Sequence, residues 1–124
     1  MVFDHEGIPE AGTQVPAGGI RPTESLREAG LREVREESGL DAVRVVTEVG
    51  TVESRHPATG QPRLTSYWVL EVAEEPPSEW RHIVVSDDGD DGMVFLCRWE
   101  KLPLDIALAD DQGSLLGRLS LLMI

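Results

Sequence analysis

The sequence predicts an α+β fold, a mixed β-sheet with helices laid on it. Segments rich in β-branched residues outnumber helical ones. They follow one another instead of alternating with helices, which argues against a doubly wound parallel sheet. The one long polar helix, predicted over residues 24–38, falls between the first strand and all the others. A chain of 124 residues fits one domain, 1–124, large enough to bury its own core.

Taken in order, MVFDHE reads as a short strand. GIPEAGTQVPAGGIRP is rich in Gly and Pro and reads as loop, with a short strand at Thr13–Val15. The helix follows, with Thr23 as N-cap, Glu24 in a first turn that suits the helix dipole, and Gly39 as the residue that ends it. DAVRVVTEVGTVES reads as one or two strands, RHPATGQPR as a turn, and LTSYWVLEVA as a strand. EEPPSEW breaks the pattern. HIVVS and MVFLCRW are two more strands, separated by DDGDDG. In SLLGRLSLLMI, Leu115, Leu119 and Leu122 recur at helical spacing and predict a packed C-terminal helix. A sheet strand at the very start, with no element ahead of it, raises the expectation that a first strand is lacking or is supplied by a partner chain. The alternative is an ordinary short edge strand.

The formal net charge of −12 argues against nucleic-acid polymers, whose binding relies on clustered Lys and Arg, and against anionic membrane surfaces. A small phosphate-bearing molecule remains compatible if cations mediate. The single cysteine, Cys97, excludes an intramolecular disulfide. The start MVFDHEGIPE lacks the apolar run of a signal peptide, and no stretch reaches the length of a membrane span, so the expectation is a cytoplasmic protein.

The helix carries Glu33, Glu36 and Glu37 within an arc of about 100°. Leu31 and Val34 fall on another flank, facing a core. Two unit charges at such spacing repel by about 3 kcal/mol at an effective dielectric near 20. An acidic helix face is ordinarily solvated and laced with i, i+4 pairs. Arg32 can brace Glu36 and reach back towards Glu24 or Glu28, but the wheel gives Glu33 and Glu37 no close Arg. Hard divalent cations explain such a cluster, because Mg²⁺ is held by a few carboxylates together with substrate phosphates.

Read as a whole, GGIRPTESLREAGLREVREESGL, residues 18–40, resembles the signature of the Nudix, or MutT-type, hydrolases, Gx5Ex7REUxEExGU with U aliphatic. All nine defined positions are filled: Gly18, Glu24, Arg32, Glu33, Val34, Glu36, Glu37, Gly39 and Leu40. At average residue usage such a match arises at roughly one start position in a billion. The resemblance implies that family's α/β/α sandwich. It implies hydrolysis of the pyrophosphate bond in a nucleoside diphosphate linked to another moiety, with Mg²⁺ or Mn²⁺ held by Glu33, Glu36 and Glu37. A backbone carbonyl at Ala17 or Gly18 would be a further ligand. Arg32 would orient a glutamate, while Gly18, Glu24 and Gly39 would shape the loop–helix–loop. The base would be Glu33 or a later-loop carboxylate. A non-catalytic nucleotide-binding or regulatory module is the alternative, although such modules usually lose box glutamates and this chain keeps them.

SDDGDDG fails as a calcium loop: counted from Asp87, position 3 is Gly89 and position 12 is Arg98. It reads ordinarily as an acidic turn. The sharper expectation is that one of Asp87, Asp88, Asp90 or Asp91 reaches the metal site. Trp80, beside a Pro-rich loop, is the candidate for stacking on a base, though aromatics in strands, Trp68 and Trp99 included, are more often core. Arg21, Arg27, Arg55, Arg63 and Arg81 are the candidates for phosphate contact, with Arg21 and Arg81 taken as substrate-binding. His5, His56 and His82 show no metal-ligand spacing, and Cys97 alternates with Phe95 and Trp99 in a strand, as a core residue would. The identity of the substrate is not written in the motif. An exposed first strand would favour a homodimer.

Overall fold

The computed structural model describes residues 1–118. Its elements are β1 (Val2–His5), α1 (Leu26–Ser38), β2 (Val43–Arg55), β3 (Pro62–Val72), β4 (Glu79–Ile83) and β5 (Val94–Arg98), with short 3-10 turns elsewhere. This is an α+β fold. β5 lies between β1 and β4 in a three-stranded sheet, and β2 pairs with β3 in a separate long ribbon. The expected mixing of strand directions is not found: every pairing between these strands is antiparallel. The reason is connectivity. β2–β3 and β4–β5 are joined by loops over residues 56–61 and 84–93 that reverse the chain, whereas parallel neighbours need a crossover of a dozen or more residues. The one helical crossover, α1, joins β1 to β2, which do not pair.

The register aligns Phe3 with Cys97 and Cys97 with Trp80, so one face of the three-stranded sheet is apolar. Phe3, Val84, Phe95 and Cys97 are fully buried there, with Met1, Trp80 and Met93 packed around them. Phe3 and Phe95 stack with ring centroids 4.1 Å apart. Cys97 is thus a core residue, and burial pushes its thiol up to about 11, far from a reactive thiolate. β4 begins at Glu79, three residues before the predicted HIVVS strand, because Trp80 pairs with Cys97 and draws EWR into the sheet.

α1 begins at Leu26, two residues later than predicted. Its N-cap is Ser25, not Thr23. Ser25 Oγ accepts the Glu28 N–H at 3.1 Å and Glu28 Oε1 accepts the Ser25 N–H at 3.3 Å. This reciprocal box satisfies two donors that a Thr23 cap would leave open, and it frees Glu24 for another use. Gly39 ends the helix as predicted, with φ 78° and its N–H donating to Arg35 O. A side chain there would meet the left-handed conformation and the His82 ring, 3.0 Å from where its Cβ would lie.

The sheet grips that helix end. Trp80 Nε1 donates to Ser38 O at 2.8 Å, His82 Nε2 to Glu36 O at 2.9 Å, and Cys97 Sγ lies 3.9 Å from Glu37 O. The last carbonyls of a helix have no partner within it, and here the strands supply donors.

After β5 the chain returns over the ribbon. The predicted C-terminal helix is not formed where it is described: residues 114 and 115 are turn and Leu116–Arg118 a single 3-10 turn, while residues 119–124 lie outside the described part. Gly113 and Gly117 weaken helix formation there, and the Ser114 hydroxyl bonds back to Asp111 O at 2.5 Å instead. The expected second helical layer therefore has no α-helix among the described residues. No helix among them is long and apolar enough to cross a membrane.

Candidate active site

Arg32 stands at the centre of the carboxylate group. Its Nε and Nη2 hold Glu24 at 2.7 and 2.9 Å, its Nη1 holds Glu33 at 2.7 Å and Glu36 at 3.3 Å, and Nη2 also donates to Gly19 O at 2.8 Å. The helical wheel left Glu33 without an Arg, but Arg32 is flexible enough to reach its own neighbour. Glu28 is occupied by the cap. The Arg32 hydrogen bonds hold the Glu24 carboxyl down to about 2, and the guanidinium is itself held above its usual value, chiefly by Glu24. Arg32 thus ties the loop before the helix to two glutamates on it.

Glu33 and Glu37 face inward, 6% and 4% exposed. For carboxylates that is unusual without a paired cation. Glu37 Oε1 accepts the Ala17 N–H at 2.9 Å. Burial pushes the Glu37 carboxyl up to about 8, against that hydrogen bond and with the help of nearby Glu33 and Asp90. Burial also raises Glu33, countered by Arg32. Glu37 lies in the last turn of α1, at the negative end of the helix dipole, which adds to the cost of its charge.

Gly18 lies against this pair. A Cβ at position 18 would fall 2.1 Å from Glu33 Oε1, so only glycine lets the backbone pass this close to the carboxylate. From the other side comes the β4–β5 turn. Asp88 offers a carboxylate oxygen to Glu33 and Glu36, and one oxygen from each of the three lies within 4.8 Å of the others. The Ser86 hydroxyl and the Asp90 N–H bond the Asp88 carboxyl and lower it, so it is poised as an anion.

Of the four expected loop acids, Asp88 joins the glutamates and Asp90 lies close enough to Glu37 to raise it. Asp87 takes Arg21 Nη2 at 2.5 Å, and Asp91 closes the turn by accepting the Ser86 N–H at 3.0 Å. Arg21 also reaches Glu36 at 3.5 Å, so it sits at the rim, half-exposed, between helix and turn. Trp80 and Arg81, the other residues expected to bind substrate, have other partners in the structure. Trp80 packs on the core with its N–H on Ser38 O. Arg81 alternates with Trp80 and His82, on the opposite face of β4, and pairs with Glu6 at 2.9 Å.

Sequence reasoning missed the Ala17 N–H, having offered only carbonyls at 17 and 18, and it missed Ser86 and His82. Serine directly before an acidic turn signals a local hydrogen bond. Nothing local signals His82, whose partner is a backbone oxygen on another element.

The donor set suits a hard divalent cation. Three convergent carboxylate oxygens with a fourth carboxyl buried beside them are hard oxygen donors of the kind such an ion takes. A family model described as NUDIX domain matches residues 2–116. No curated protein and no solved structure matches the chain.

Proposed function

This chain belongs to the Nudix family, with a pyrophosphohydrolase-type function, and from that premise we propose that it cleaves the pyrophosphate bond in a nucleoside diphosphate linked to another moiety. Mg²⁺ or Mn²⁺ is the proposed cofactor. The observation that carries the reading is the convergence of Glu33, Glu36 and Asp88, from two separate elements, beside buried Glu37.

Glu33, Glu36 and Asp88 would hold the cation, with Glu37 adjoining. When bound, a divalent cation neutralises phosphoryl charge and makes water a better nucleophile at neutral pH. The chain's own contribution is placement. Arg32 fixes Glu33 and Glu36 in one geometry, and Gly18 keeps space beside Glu33. A carboxylate of the group, Glu33 or Asp88, takes the proton of the attacking water. Arg21 at the rim, paired with Asp87 and Glu36 and half-exposed, would turn from them to a substrate phosphate. Little covalent chemistry is asked of the protein, because phosphoryl transfer depends on positioning and charge stabilisation. The net charge of −12 makes any phosphate substrate depend on metal.

A hydrolysis screen tests this. The protein would meet ADP-ribose, dinucleoside polyphosphates, nucleotide sugars, coenzyme A and nucleoside triphosphates with Mg²⁺ or Mn²⁺, beside the Glu36→Gln variant. We expect turnover of one class, abolished by chelation and reduced about a hundredfold or more in the variant. Metal binding with no turnover of any class would replace the enzyme by a nucleotide-binding module.

A further inference from the structure

We propose that Gln112 is a positioning residue for the metal-binding carboxylates, acting through the loop that carries Ala17 and Gly18. The inference rests on the metal-site reading above. Its evidence is a chain of contacts that crosses the molecule.

The loop at residues 13–15 runs between two supports. On one side Gln14 exchanges both backbone hydrogen bonds with Phe3, at 2.8 and 2.9 Å. On the other side stands the turn at residues 109–112. The Ala109 N–H donates to Thr13 O at 2.8 Å, and the Gln112 side-chain oxygen accepts the Val15 N–H at 2.7 Å. Gly12 packs against the same turn, with the Ala109 Cβ 3.1 Å from where a Cβ at position 12 would lie. The turn is itself anchored to β3. Arg63 holds Asp110 through two hydrogen bonds, both at 3.3 Å, and the Tyr67 hydroxyl donates to Asp111 O at 3.3 Å.

The turn is also held in an unusual shape. Asp110 and Asp111 take φ 53° and 57°, the left-handed region that non-glycine residues rarely adopt. Surroundings must over-determine such a conformation for it to persist. The contacts to Thr13, Val15, Arg63 and Tyr67 do so.

From Val15 to the site is a short and stiff path. Pro16 follows, with its φ locked by the ring. Then Ala17 gives its N–H to Glu37, and Gly18 passes beside Glu33. Releasing the Val15 N–H therefore lets the segment slip where two buried carboxylates depend on it. Partners one step removed from a metal's ligands commonly change its affinity about 10–100-fold when lost, and Gln112 acts one step further out.

The test uses the full chain and two variants. Gln112→Met keeps the length and removes the acceptor, while Gln112→Glu keeps an acceptor oxygen. Mn²⁺ affinity is read by electron paramagnetic resonance, and amide exchange at Ala17 is read by NMR in metal-free protein. We expect Gln112→Met to raise the Mn²⁺ dissociation constant about tenfold and to speed Ala17 exchange about tenfold relative to β5 amides. Gln112→Glu should stay within about twofold of the parent chain. Unchanged Mn²⁺ affinity and unchanged Ala17 exchange in Gln112→Met would overturn the proposal. So would faster exchange everywhere alike, which marks general destabilisation. A parent chain without Mn²⁺ affinity would overturn the metal-site reading instead, and Ala17 exchange would still judge the brace.

Discussion

At the scale of the residue, Gly18 carries a sharp expectation. The atom a new Cβ would strike is the far end of the Glu33 side chain, a flexible group that can move aside. Gly18→Ala should therefore still fold, but at a cost in stability, because displacing the Glu33 carboxylate from Arg32 and Asp88 leaves a buried charge without its partner. We expect Mn²⁺ affinity at least about tenfold weaker, read by calorimetry, with the fold retained by circular dichroism and a melting temperature below the parent's. Parent-like metal affinity would show that Glu33 has room the structure does not suggest. Position 18 was legible in the sequence because the motif names it. Choosing among the four aspartates was not, since backbone hydrogen bonds within the turn decide which carboxylate points to the helix. Asp91 is spent on the Ser86 N–H and Asp87 on Arg21, which leaves Asp88 for Glu33 and Glu36 and Asp90 near Glu37. Trp80 misled because its flanking prolines suggest a loop, whereas pairing with Cys97 across the sheet brings it into β4.

At the scale of the element, α1 was legible in its polar stripe and its glycine stop. Its first turn was misjudged. TESLRE holds two candidate caps, and the reciprocal bonds between Ser25 and Glu28 select the second. Removing that cap in Ser25→Ala should cost about 1 kcal/mol, measured by urea unfolding. A loss below a few tenths would mean that Thr23 can take over. The strand pairings were beyond sequence reasoning for a different cause. Hydrophobic alternation shows that a segment is a strand, but it does not show which neighbour it bonds. The separation of β2–β3 from the three-stranded sheet is such a choice of neighbours.

At the scale of the whole molecule, the buried carboxyls set a pH dependence for the metal-free protein. Glu37 titrates near 8 when folded and near its ordinary 4.5 when unfolded. The folded state therefore holds more protons between those values. Its stabilising share is complete below pH 4.5 and is lost as pH rises towards 8. Glu33 acts in the same direction. Glu24 acts oppositely: lowered to about 2, it stabilises above pH 4.5 and loses that share as pH falls towards 2. Thermal melts in chelator should show the melting temperature falling from pH 5 to pH 8. Glu37→Gln should flatten the fall, and added Mg²⁺ should reverse it by taking the proton's place. A melting temperature that rises across this range in chelator would contradict the burial of Glu37.

The grip of the sheet on the helix end has a consequence for what can change around it. Trp80 and His82 hold main-chain oxygens, those of Ser38 and Glu36, and a main-chain oxygen is present whatever side chain stands there. The alignment of this end of the helix is thus set by the strands and not by the charges it presents: the side chains at 36 and 38 can change without releasing that grip. Such a frame lends itself to mutational drift and to engineering at that end of the helix.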